Sequence, residues 1–181
     1  MPSIPTLMTD RLILRPWREE DRTEFARMNA DPRVMEFFPA RLTRSESDAM
    51  LDRVTAHWEK RGFGWWALEL RETGAFLGFT GLLVPSFTAH FTPCVETGWR
   101  LLAEHWGQGY ATEAARASLN HGFNRQGLQE IVSFTAATNL RSRRVMERLG
   151  MTRDPADDFD REVIPMGHPL RPHVLYRVRK G

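Results

Sequence analysis

The stretch Trp106-Gly107-Gln108-Gly109-Tyr110-Ala111-Thr112-Glu113-Ala114 follows the apolar run "VETGWRLL" (Val95 to Leu102) and opens a segment in which small residues recur at helical spacing. Ala111, Ala114, Ala115, Ser118, Leu119, Gly122 and Phe123 share one face of the predicted helix. Small side chains let a helix axis approach a sheet closely, so this helix is expected to lie tightly against strands. The order is strand, glycine loop, helix. Glycine permits positive φ and lets a ligand approach the backbone. The free N–H groups of such a loop, with the dipole of the helix behind them, suit a phosphate or pyrophosphate. A dinucleotide fingerprint would need a third glycine near Thr112 and an acidic residue closing the second strand, whereas Glu130 opens its strand. A Walker loop would need Gly-Lys-Ser/Thr, and the lysines, Lys60 and Lys180, lie far away. A plain tight turn is the competing reading.

Outward from this loop the chain reads as alternating strands and helices. "RLILRPW" (Arg11 to Trp17) predicts a first strand, and "EEDRTEFARMNADP" a helix ended by Asp31-Pro32. Thr43 with Glu46 fits a capping box before a second helix reaching Arg61, with Met50, Leu51, Val54 and Trp58 at helical spacing. "GWWALELR" and "AFLGFTGLLV" flank Glu72, Thr73 and Gly74 as a hairpin. "EIVSFTAAT" predicts a strand, "NLRSRRVMERLG" a helix capped by Gly150, and "HVLYRVRK" a closing strand.

The 181 residues, 41% hydrophobic, suit one domain spanning 1–181, with no repeat or linker. No apolar run is long enough for a membrane span, and "MPSIPTLMTD" lacks the pattern of a leader. Cys94 is the single cysteine, so no intrachain disulfide is possible and cytoplasmic residence is expected. A net charge of +2 does not imply nucleic-acid binding. The six histidines lack paired metal-ligand spacing, and no metal is expected.

Glu96-Thr97-Gly98-Trp99, then Trp106 to Ala114, then Asn139 to Ser142, then Glu147-Arg148-Leu149-Gly150-Met151 together resemble the GNAT acetyltransferases, in the form of the RimJ/RimL branch. The resemblance covers nearly the whole chain from "TDRLILRPW". It implies an α/β (α+β) fold, with a mixed, mostly antiparallel central sheet flanked by helices and splayed central strands. It also implies acetyl-CoA as acetyl donor, and direct transfer to a primary amine such as a protein N-terminus, by a monomer or homodimer. On this pattern Leu101 and Leu102 border the pantetheine arm, almost as an added strand would. The amides of Gly107, Gln108, Gly109, Tyr110 and Ala111 hold the pyrophosphate, with the Thr112 hydroxyl beside them. Asn139 matches the asparagine that bonds the pantetheine, and Ser142 a serine near the thioester sulfur. Met146 stands where many relatives carry the tyrosine that protonates the leaving thiolate. That leaves Ser142 as the candidate donor to the sulfur.

Glu96 is the candidate to take or orient the amine proton; the alternative is a buried glutamate satisfied by backbone or an arginine. Cys94 reads as a passive thiol. Arg141, Arg143, Arg144 and Arg148 are either a solvated face or contacts for the coenzyme's terminal phosphate. Trp65, Trp66, Phe37, Phe38 and Trp99 belong to the core or to the rim of an acceptor groove. The acidic stretch Asp154 to Glu162 is either solvated or attracts a cationic acceptor. Two further readings stay open: a small-molecule amine acetyltransferase, and a non-catalytic acyl-CoA-binding module.

Overall fold

The computed structural model describes residues 4–181; the first three residues, which open the stretch read above for a leader, lie outside it. Strands β1 (Leu7–Met8) and β2 (Leu12–Arg15) precede helices α1 (Asp21–Ala30) and α2 (Arg44–Arg61). Strands β3 (Trp65–Leu70), β4 (Phe76–Leu83) and β5 (Glu96–Leu101) lead to α3 (Tyr110–Asn124). Then come β6 (Glu130–Ala136), α4 (Leu140–Arg148), β7 (Thr152–Arg153), β8 (Phe159–Asp160) and β9 (Pro172–Arg179). The sheet order is β1-β2-β3-β4-β5-β6-β9-β7, with β8 also on β9. Every pair is antiparallel except β5 with β6. This is the mixed, mostly antiparallel architecture expected.

Local chemistry sets the ends of the elements. β2 stops at Arg15 because Pro16 has no N–H to continue the ladder. Asp31 closes α1 at ψ 119, the extended conformation that a following proline enforces. Both halves of the Thr43–Glu46 capping box form, and Gly62 ends α2 in the left-handed region at φ 74. The two-residue strands β7 and β8 carry no period of their own. They exist because β9 offers an edge to pair with.

Helix α3 lies on one face of the sheet with its small side inward: Ala114, Ala115 and Ser118 are wholly buried. On the other face Phe25 of α1 packs on Phe79 of β4, with ring centroids 6.0 Å apart. Gly122 shows how closely α3 approaches. A Cβ there would stand 2.8 Å from Ile131 Cδ1 and 2.9 Å from Leu82 Cδ1. Gly122→Leu is therefore expected to destabilise the fold by about 2 kcal/mol through overpacking. Gly122→Ala should cost much less, since it displaces only side-chain tips and gains helix propensity. Denaturation midpoints of the two variants against wild type check this ordering.

Candidate active site

The parallel pair β5/β6 is joined at one register point, Glu96 opposite Val132. The Val132 N–H donates to Val95 O at 2.9 Å, and the Ser133 hydroxyl donates to Thr97 O at 2.9 Å. Beyond that second bond the strands part. The gap is a cleft of about 530 Å³, walled by Glu96–Leu101 on one side and Ser133–Thr135 on the other, and closed by the glycine loop and α4. On an extended strand alternate residues turn their backbone groups to opposite edges. Leu102 N–H donates to Leu77 O, toward β4. Thr97, Trp99 and Leu101 therefore turn their N–H and C=O toward the cleft. The Leu101 carbonyl is taken by Trp106 Nε1 at 2.9 Å, and the Thr97 carbonyl by Ser133. The backbone of Trp99 is left as an edge for a ligand.

At the loop, Gly107 (φ 76) and Gly109 (φ 81) occupy the conformation reserved for glycine. The Glu113 N–H is taken by Gly109 O, which leaves those of Tyr110, Ala111 and Thr112 as the unpaired first-turn donors of α3. Thr112 Oγ1 is buried without a partner among the described residues, and Thr112 lines the cleft. The loop is braced from outside by Arg11. Its guanidinium bonds Gln108 O at 2.9 Å, pairs with Glu113 at 2.7 Å and covers the Tyr110 ring at 4.6 Å. Burial opposes ionisation of Glu113, but bonds from Thr9 and Arg11 overcome it and hold its carboxyl below the usual range.

Asn139 caps α4: its side-chain oxygen accepts from Ser142 N–H at 3.2 Å, and its amide donates to Thr135 Oγ1 at 2.9 Å. Ser142 Oγ accepts from Trp99 Nε1 at 3.1 Å, so its own proton is available to a ligand. Glu96 lines the cleft beside the fork. Burial pushes its carboxyl up to about 8, against a partial offset from Arg161. It forms no ion pair within 4 Å among the described residues.

Of the residues singled out in the sequence, Glu96, Leu101, Gly107, Gly109, Tyr110, Ala111, Thr112, Asn139 and Ser142 border this one cleft. Leu102 and Gln108 do not. Leu102 is 2% exposed and packs with Phe25 and Met28, because the strand alternation points it to the other core. Met146 is buried in the core, and Val145 takes its place at the cleft wall. Arg141, Arg144 and Arg148 reach the cleft, whereas Arg143 is held by Tyr176 and Ala137. The late acidic residues lie outside it; Asp157, Asp158 and Asp160 pair with Arg177, Arg153 and Arg171. Burial raises the Cys94 thiol to about 11, which suits a passive role. Arg100 is a wall residue that the sequence reading did not single out. Its signal was the two-residue strand repeat running from Glu96 through Gly98.

Six buried side-chain N or O atoms lack partners among the described residues, and four of them, on Trp65, Thr97, Arg100 and Thr112, belong to residues lining this cleft. Unsatisfied polar groups concentrated in a cavity mark a place where a ligand completes the bonding. The model of the Acetyltransferase (GNAT) domain family matches residues 11–152. This chain is a GNAT acetyltransferase. YkkB of Bacillus subtilis is 34% identical over 151 residues, 80% of this chain and 84% of its own. The Aspergillus fumigatus FsC-acetyl coenzyme A-N(2)-transacetylase is 33% identical over 156 residues, 82% of this chain and 65% of its own length. An acetyltransferase from Agrobacterium tumefaciens superposes with a TM-score of 0.79 at 31% identity, covering 98% of this chain and 96% of that one. GNAT enzymes transfer acetyl from acetyl-CoA to an amine, so this chain is an acetyl-CoA-dependent N-acetyltransferase. Among the described residues no group of three potential ligands gathers for a metal, and no helix is long and apolar enough to cross a membrane.

Gly109→Val forces a branched residue into positive φ at the head of α3. Calorimetric titration is expected to show acetyl-CoA affinity lowered by at least about tenfold in this variant. NADH and ATP should bind neither form. Unchanged acetyl-CoA affinity in a folded variant would remove the loop from the coenzyme site.

Proposed function

We propose that this acetyltransferase moves the acetyl group directly to the amine of a small-molecule acceptor, with donor and acceptor held together in one ternary complex. The observation that carries direct transfer in one complex is the fork between β5 and β6, which brings a helix N-terminus, an open strand edge, Glu96 and Ser142 onto one cleft. The coenzyme supplies a thioester-activated acetyl group. On this reading the loop amides from Gly107 to Ala111 hold its pyrophosphate, with the Thr112 hydroxyl completing its bonding there. The backbone of Trp99 and Leu101, with Asn139, aligns the arm. Alignment of this kind supplies several kcal/mol of rate acceleration.

Glu96 receives the proton that the amine releases as its nitrogen bonds to the acetyl carbon and the carbon–sulfur bond breaks. A carboxyl near 8 matches this task, since a general base works best near the operating pH. Ser142 donates its free hydroxyl proton as a hydrogen bond to the departing sulfur, since no tyrosine stands on the α4 wall of the cleft. The second reading, a protein N-terminus as acceptor, is favoured by the RimJ/RimL-like sequence Trp106 to Ala114. The name of the fungal relative joins acetyl coenzyme A to an N(2) position, which agrees with a nitrogen acceptor. We place the protein in the cytoplasm, as a monomer or homodimer.

Glu96→Gln is expected to lower kcat/KM by about a hundredfold or more, as loss of a general base does. The wild-type profile of kcat/KM should rise through a pH near 8, where the carboxyl ionises, and the variant should lose that limb. Superimposable profiles for the two proteins would remove Glu96 from proton transfer and leave it a packing residue.

A further inference from the structure

Arg100 is 8% exposed, lines the cleft, and has no carboxylate within 4 Å among the described residues. Its Nη1 donates to Asn29 Oδ1 at 2.5 Å, and its Nε is buried without a partner among the described residues. Asn29 is neutral, and its own amide is committed to Ser47 Oγ at 2.8 Å. The guanidinium covers the Phe38 ring at 4.1 Å and faces Phe79 at 5.4 Å. Arg15 is the internal comparison. It is buried to a similar degree, at 5% exposure, and is clamped by Asp21 at 2.7 Å and Glu69 at 2.6 Å. This protein therefore neutralises a buried arginine away from the cleft and leaves the one in the cleft uncompensated. A buried unpaired charge is costly, and an arriving anion offsets that cost.

The indoles repeat the pattern. The chain has six tryptophans. Trp17 and Trp58 donate to Trp65 O, Trp66 to Pro5 O, Trp99 to Ser142 and Trp106 to Leu101 O. Among the described residues Trp65 Nε1 alone of the indole nitrogens is buried without an acceptor. It lies 3.8 Å from the point where a Cβ on Gly98 would stand, an ordinary van der Waals distance, so the N–H edge of the indole borders the face of Gly98. The register pairs Trp65 with Gly81, and Gly81 with Gly98, in one row across the sheet. Glu96, Gly98 and Arg100 alternate onto the same face of β5. The Cα atoms of Glu96 and Arg100 are roughly 13 Å apart at the rise of an extended strand. Between the proton acceptor and the cation there is room for an amine and an anionic group a few bonds apart.

We propose that Arg100 and Trp65 form a carboxylate subsite, so that the acceptor is an amine that also carries a carboxylate, with an apolar body against Val34, Phe37 and Phe38. The planar guanidinium matches a carboxylate, and the aromatic walls accept the apolar part. This deepens the small-molecule reading above and rests on it. It also accounts for the aromatic residues that have no role toward the coenzyme.

The test has two arms. In the first, N-acetyl-L-phenylalanine and its carboxamide, which share the apolar body and differ in charge, are titrated calorimetrically into wild type, Arg100→Met and Trp65→Phe. Arg100→Met keeps an apolar stem over Phe79. Trp65→Phe keeps an aromatic ring on Phe79 while removing the N–H together with the five-membered ring that bears it, which guards against a result due to misfolding. Melting curves accompany both variants. The wild type should prefer the acid by about tenfold or more, with the preference collapsing in Arg100→Met and falling severalfold in Trp65→Phe. No detectable binding of the acid, or equal preference in all three proteins, overturns the proposal. In the second arm, thiol release from acetyl-CoA is followed with amino acids against their carboxamides. Arg100→Met should raise KM for the free acids and leave the carboxamides nearly unaffected. An equal fall in kcat for both would overturn the proposal and assign the charge to the reaction centre. Failure of acetyl-CoA to bind would count against the coenzyme reading instead, because the first arm is read without coenzyme.

Discussion

A sheet normally satisfies its backbone by continuous pairing, and here one pair of strands is made to part. The bonds from Val132 to Val95 and from Ser133 to Thr97 set the point where β5 and β6 separate, and past it Trp99 keeps its N–H and C=O without a neighbouring strand. Most of what defines the site depends on this break. It opens the cleft and aims the glycine loop at it. It also gives α4 a wall on which Asn139 and Ser142 sit. An unpaired strand edge is a cost in a closed core, so the arrangement makes physical sense only if an extended ligand takes up the pairing.

The surrounding packing serves to hold that break open. Small residues on α3 bring its axis close to β4 and β6, which fixes where its N-terminal amides point. Arg11 braces the loop through Gln108, Glu113 and Tyr110, so its positive-φ glycines are held in position before any ligand arrives. Trp106 ties the loop back to Leu101 by its indole N–H, while Arg141 covers its ring at 4.5 Å. This is preorganisation: donors held in place need not reorganise during the reaction.

Much of the fold was legible because its signals are local. The Thr43–Glu46 box, the glycine ending α2, the turn at Glu72 to Gly74 and the small face of α3 each depend on residues within a few positions of one another, and each formed as read. The short strands β7 and β8 were not legible, since two residues carry no period and their pairing comes from β9. In the site, the glycine loop could be read from motif and spacing and Asn139 from the family resemblance, whereas its role as the cap of α4 came from the structure. Leu102 misled because a strand alternates its faces, and its direction follows from which edge β4 occupies. Gln108 lies on the loop's outer side, where Arg11, nearly a hundred positions earlier in the chain, holds its carbonyl and leaves its N–H out of that bond.

The sequence by itself determined the order of the longer elements, the glycine loop at the head of a helix, and the family to which the chain belongs, because these follow from periodicity and from residues close together in the chain. Only the tertiary structure decided where the sheet opens and which buried polar atoms go without partners. Asp21, six positions on, is the one partner of Arg15 that lies near it in the chain, and the rest of the difference between Arg15 and Arg100 is brought by the fold. Arg15 meets Glu69, 54 positions away, and Arg100 meets Asn29, 71 positions away. The charge left over at Arg100, and the carboxyl raised at Glu96, are therefore properties of the fold and not of any motif.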